Sequence, residues 1–131
     1  MSRDHRKLRV FHDAHALTLA IYSHTKHFPK EEWYGIRQQV RRAATSIPTN
    51  IVEGSARSGT RDYGKFLTVA LASACEVSYL LQLSCELQLL NPEGYRGLSA
   101  QSASVVRQLQ RLVSKVELLI KQEQTAARRH P

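Results

Sequence analysis

Apolar residues recur along this chain at steps of four and three, the repeat that holds one face of an α-helix against a core. Val10, Ala14, Leu17, Ile21 and Phe28 keep that rhythm, with His24 at the skipped position, and predict a first helix over about 10–28. Pro29 ends it and suits the first turn of a second helix over about 30–56, where Glu31 and Glu32 meet the positive end of the helix dipole. The second stripe is Trp33, Ile36, Val40, Ala43, Ile47 and Ile51. Pro48 falls inside it and, at a cost of roughly 3 kcal/mol, predicts a kink; the stripe stays in phase across it, which favours one bent helix over two pieces.

The small residues from Gly54 to Thr60 predict a turn, and a third helix follows over about 60–90. It carries two seams. Tyr63, Leu67, Ala70, Ala74, Val77, Leu81, Ser84 and Gln88 form one; Val69, Ser73, Glu76, Leu80, Leu83, Leu87 and Leu90 form another on a different face. One seam serves the core of the chain. The second predicts self-association, with Val69, Glu76, Leu80, Leu83, Leu87 and Leu90 as the candidate interface, unless this helix simply touches two neighbours of its own bundle. Asn91-Pro92-Glu93-Gly94 is a breaker, and Val105, Leu109, Leu112, Val116 and Leu119, widened by Val106, Val113 and Ile120, predict a fourth helix over about 97–124. Four amphipathic helices with short connections predict an all-α, antiparallel up-down four-helix bundle, one domain over residues 1–131 with basic, frayed ends.

The 131 residues suit one domain with one modest core. Hydrophobic residues at 42% and charged ones at 23% place the chain away from disorder. No run of eighteen apolar residues and no apolar leader core predicts a cytoplasmic protein without membrane contact. Cys75 and Cys85, ten residues apart on one helix, are separated by about 15 Å of rise, beyond disulfide reach, and are read as reduced packing residues.

Charge changes the picture more. Nineteen Lys and Arg against eleven Asp and Glu give +8, which favours polyanionic partners. From Arg37 to Lys65 six basic residues face two acids; from Phe66 to Tyr95 there are three acids and no base. Arg107, Arg111 and Lys115, four apart, make a basic ridge on the fourth helix that could track phosphates, the plain alternative being a solvated face. With Arg37, Arg41, Arg42, Arg57 and Arg61 they are the candidate nucleic-acid-binding residues. Trp33, Tyr34 and Tyr63 make only weak aromatic interleaving, so contact is expected to be with backbone and shape and not with base sequence.

Catalytic patterns do not emerge. No nucleophile elbow, phosphate-binding glycine loop or zinc-protease helix motif is present, and no nucleophile has a partnered base, so no enzyme activity is expected. His12/His15 and His24/His27 are i, i+3 pairs without a third ligand, and Asp13 next to His12 points away from it, so neither metal nor cofactor is expected. The informative polar set is Ser46, Asn50, Glu53 and Arg57, spaced four, three and four on one helix face. It reads either as a structural network, with Glu53 paired to Arg41, Arg42 or Arg57, or as a ligand-facing pocket.

The stretch from Arg41 through Ala43-Ala44-Thr45-Ser46-Ile47-Pro48-Thr49-Asn50-Ile51-Val52-Glu53-Gly54, with Phe28-Pro29, Glu32, Tyr34-Gly35 and Gln39 upstream, resembles the 23S rRNA intervening-sequence protein family of bacteria. Phe66-Leu67, Ala70, Ser73 and Glu76 extend the resemblance, which runs from Phe11 to about Leu119. The chain departs from the family pattern at Ala72, where Gly is frequent, and at His12, near a frequent Trp. The resemblance implies an up-down four-helix bundle assembled as a homopentamer, and most members have no established activity. A similar accessory protein of diversity-generating retroelements works with a reverse transcriptase and nucleic acid. Two functions are therefore expected to compete: binding of structured RNA or DNA through basic surfaces, or a scaffold that recruits a protein partner such as a reverse transcriptase.

Overall fold

The computed structural model describes residues 3–129, and among these there is no strand. Four helices carry the fold: α1 (Arg9–His24), α2 (Ile36–Ser55), α3 (Thr60–Glu86) and α4 (Pro92–Arg129), with 3-10 turns at His5–Lys7 and Lys30–Glu32. α2 packs against α1 and α3, and α4 against α3 and α1. One apolar cluster lies between them, built from Leu17, Ile21, Val40, Ile47, Ile51, Leu67, Val77, Leu81, Leu98, Val105 and Leu109, each essentially inaccessible. Truncating one such leucine or isoleucine to alanine costs about 2–5 kcal/mol.

Helix boundaries differ from the sequence expectation at five places: α4 runs on to Arg129, so residues 125–129, expected as a frayed end beyond 124, are helical, and the other four have a local cause. α1 stops at His24 because Thr25 leaves the helical region and donates its hydroxyl back to the Ile21 carbonyl at 2.8 Å, while Arg41 of α2 donates to the Tyr22 carbonyl at 3.1 Å. Phe28, expected as the last turn of α1, is instead buried from the following loop, and the Trp33 indole N–H holds its carbonyl at 3.0 Å. α2 begins at Ile36, after Gly35 breaks the backbone path. α3 ends at Glu86, four residues early, in a Schellman closure: Gln88 takes a left-handed φ of 62°, its N–H reaches the Cys85 carbonyl at 3.0 Å, and the Leu89 N–H reaches that of Ser84 at 2.8 Å. α4 starts at Pro92, five residues early, because Asn91 caps it, its side-chain oxygen accepting the Gly94 N–H at 2.7 Å.

α2 is one helix through Pro48. Proline has no N–H, so the Ala44 carbonyl four residues earlier lacks its helical donor. Thr18 of α1 supplies one: its hydroxyl lies 3.1 Å from that oxygen and 2.9 Å from the carbonyl of Ala14 in its own helix. Further along, α2 presses on α3 at Gly54, where a Cβ would sit 2.8 Å from that of Phe66. Only a glycine fits there.

The second α3 seam is partly covered by the chain itself. Leu80 and Leu90 are each 5% exposed and Leu83 is half-buried, which corrects the expectation of a continuous exposed leucine strip. α3 touches both α2 and α4, so its buried arc is wider than one seam, and the Schellman closure folds Leu90 back under the bundle. Val69, Glu76 and Leu87 remain exposed. Leu119, placed in the α4 core stripe by its spacing, is 40% exposed, since the packed line of α4 runs through Val105, Leu109, Val113 and Val116 to Ile120 and leaves Leu119 beside it. α3 is also long and apolar enough to cross a membrane by length and composition, yet Leu67, Ala70, Ala74, Val77 and Leu81 on it belong to the shared core.

Candidate functional site

Two members of the polar set, Ser46 and Asn50, meet, joined by Ser73 of α3; Glu53 and Arg57 do not. Ser46 on α2 and Ser73 on α3 share a hydrogen bond of 2.8 Å, and the Asn50 amide donates to the Ser46 hydroxyl at 2.9 Å and to its carbonyl at 2.8 Å. This half-buried link ties α2 to α3, and Ser78 with Ser102 at 2.6 Å makes a similar one between α3 and α4. Glu53 corrects the expectation. It is exposed on the outer side of α2, and among the described residues its carboxylate has neither an ion pair nor a hydrogen bond. The arginines expected around it are engaged elsewhere or face solvent.

Arg41 turns towards α1. Its guanidinium donates to the Thr25 hydroxyl at 2.8 Å and to the Tyr22 carbonyl, and lies 4.5 Å from the centre of the Tyr22 ring. Burial, and then the neighbouring charge of Arg37, lower its pKa from the usual arginine value. Arg37 rests 4.5 Å above the Trp33 ring and Arg57 4.9 Å above that of Phe66. Arg42 is exposed at the surface of α2.

The remaining candidates divide between two clefts. Arg111 and Lys115 border one of about 280 Å³ with Leu8, Arg9, Val10, Gln108 and Leu112, where the N-terminus of α1 meets α4. Arg9 lies 3.4 Å from Asp13, whose carboxylate also accepts from Gln108 at 2.8 Å, so the acid near this cleft is already neutralised. Arg107 continues the ridge one turn back, exposed. Arg61 and Lys65 border the second cleft, about 480 Å³ between α3 and α4, with an apolar floor of Val69, Val113 and Ile120. The eight basic candidates thus occupy separate sides of the bundle.

Among the described residues no three of His, Cys, Asp and Glu gather closely enough to hold one metal ion. His24 donates its Nδ1–H to the Ala20 carbonyl (2.9 Å), and His12 its Nε2–H to that of Arg6 (2.7 Å). Cys75, read as a packing residue, is exposed, and Cys85 is half-buried; both are free thiols. One feature escaped the spacing argument. Phe11 is ringed by imidazoles, edge-on to His5 at 4.7 Å and His12 at 5.2 Å, and nearly parallel to His15 at 6.2 Å. Histidines read only as metal ligands concealed it.

Comparison with known proteins places this arrangement. No curated protein matches the chain. A crystal structure of a protein of unknown function from the S23 ribosomal protein family of Bacteroides thetaiotaomicron VPI-5482 is similar, with a TM-score of 0.74 and 24% identity over 80% of this chain and 95% of that one. At that identity the likeness speaks for the fold. The family model described as 23S rRNA-intervening sequence protein matches residues 6–111, from the first basic turn to the middle of the α4 ridge, and the chain belongs to that family.

Proposed function

We propose that this protein is a non-enzymatic, self-associating, cytoplasmic bundle that grips the phosphate backbone of structured RNA or DNA without reading base sequence. The observation that carries the reading is the α4 ridge: Arg107, Arg111 and Lys115 are exposed, in no ion pair among the described residues, and joined at the cleft by Arg9. Only two ion pairs occur among the described residues, both near the N-terminus and neither involving Arg107, Arg111 or Lys115, and the net charge of +8 favours a polyanion. The up-down, antiparallel arrangement is supported by pairs such as Thr18 with Ala44 and Thr25 with Arg41, or Gln108 with Asp13 and Gly94 with His24, whose numbers rise on one helix as they fall on the other. The missing Pro48 bond supports a bend in α2. Anisotropy of a labelled RNA hairpin, titrated at several salt concentrations, tests the function. Binding should weaken linearly on a log–log plot, and reversing Arg107, Arg111 and Lys115 to Glu should make the slope shallower by about 0.9 for each phosphate that is no longer neutralised. A flat salt response overturns it.

A protein-recruiting scaffold is the second reading, supported by the apolar floor of the α3/α4 cleft beside exposed Val69. A homopentamer, as the family resemblance implies, would cover the exposed Val69 and Leu87. Co-purification of one protein that survives nuclease treatment, and is lost on Val69→Asp, would favour the scaffold.

A further inference from the structure

We infer that the face shared by α1 and α2 is a stacking site for unpaired nucleotides of an RNA or DNA strand, which rests on the phosphate-binding reading above and adds to it the class of strand recognised. His15, Leu19 and Tyr22, four and three apart, share one side of α1, and all are exposed, Leu19 at 59% and Tyr22 at 42%. At one end the His15 ring lies within 13° of parallel to Phe11, with the His12 and His5 rings against Phe11 from the side. At the other end two guanidiniums, one helical turn apart on α2, cover two rings: Arg41 over Tyr22 and Arg37 over Trp33. From Phe11 to Tyr22 the helix rises about 16 Å, room for several nucleotides.

The chemistry suits one ligand. Each ring and each guanidinium offers a flat surface, and a base stacks on imidazole, phenol, indole or guanidinium planes with little regard to its identity. The arginines add charge for the intervening phosphates, in the same side chains that supply a stacking plane. Bases inside a duplex are already stacked and cannot reach these surfaces, so an unpaired strand is favoured. Both carboxylates at the histidine end are engaged, Asp4 by Arg6 at 3.0 Å, which lowers its pKa, and Asp13 by Arg9 and Gln108; Glu31 stands exposed at the tryptophan end and opposes binding there.

Trp33 is the chain's one tryptophan, so it reports on this face directly. The unmodified protein should bind a short labelled oligothymidylate, with quenching of Trp33 fluorescence, more tightly than an abasic strand of equal length. Replacing His12 and His15 together by Ala should weaken oligothymidylate binding about tenfold or more while leaving the binding of a blunt-ended duplex unchanged, and His15→Tyr, which restores a ring, should recover most of the loss. Equal binding of intact and abasic strands overturns the stacking site alone. Failure of every nucleic acid, hairpin included, to bind at low salt overturns the phosphate reading and this inference with it. A change in sedimenting mass of the His12→Ala, His15→Ala double variant, with unaltered strand binding, overturns the inference in favour of an interface between copies.

Discussion

Gln88 holds the one left-handed backbone among the described non-glycine residues, at the exit of α3. Glycine adopts that conformation without the Cβ clash, so Gln88→Gly should stabilise the protein by about 1 kcal/mol in urea unfolding. Thr18 presents the opposite case. Thr18→Val keeps the shape but removes the donor that the Ala44 carbonyl receives in place of the Pro48 N–H, and should cost about 1–3 kcal/mol by the same measurement. Tyr63 is 4% exposed with the Arg3 guanidinium 4.2 Å over its ring; burial raises its pKa above 10.0, and Arg3 offsets part of that. A raised pKa in an acid means the folded state holds its proton longer than the unfolded one. Its contribution is therefore fully present below pH 10.0 and is lost as pH rises through the folded value, so Tyr63→Phe should lose less Tm than the parent between about pH 9 and 11.

At the scale of the helix, close approach decides more than propensity. Gly54→Ala places a methyl 2.8 Å from the Phe66 Cβ, and since neither helix backbone can yield cheaply, a loss of about 1–3 kcal/mol is expected in thermal unfolding. The apolar repeat disclosed all four helices because Val10–Ile21, Ile36–Ile51, Tyr63–Leu81 and Val105–Val116 each lie on a core-facing line. Their ends were set by things the repeat does not contain. Arg41 reaches α1 across nineteen residues to hold the Tyr22 carbonyl, and a side-chain cap from Asn91 turns an apparent breaker into a helix start. The Asn-Pro pair carried that signal, since proline is welcome in a first turn.

For the molecule as a whole, the sign and placement of charge were legible, but not which cations share a surface. The ridge at Arg107, Arg111 and Lys115 follows from helical spacing alone, whereas its union with Arg9 depends on α1 packing beside α4. Glu53 misled because its spacing matched Ser46 and Asn50, while the helix turns it just past the edge of the α2–α3 contact. The ring–guanidinium ladder was hidden because Tyr22 and Arg41 belong to different helices. Self-association is the property to measure here. With Leu80 and Leu90 committed to the core, the exposed Leu87 is the better probe of the proposed self-association, on which Leu87→Asp should lower the sedimenting mass while leaving the helical circular dichroism unchanged.

The hydroxyl that Thr18 lends to Ala44 has a consequence for how the chain acquires its shape. Because α2 is missing one of its own rungs at Pro48, its two halves are stitched together by a neighbour, and the stitch exists only once α1 has docked. α1 and α2 should therefore protect their amides from hydrogen exchange as one cooperative unit, with the turn on either side of Pro48 opening only when α1 lifts away. The proline makes α2 depend on its partner, so the first two helices form together or not at all.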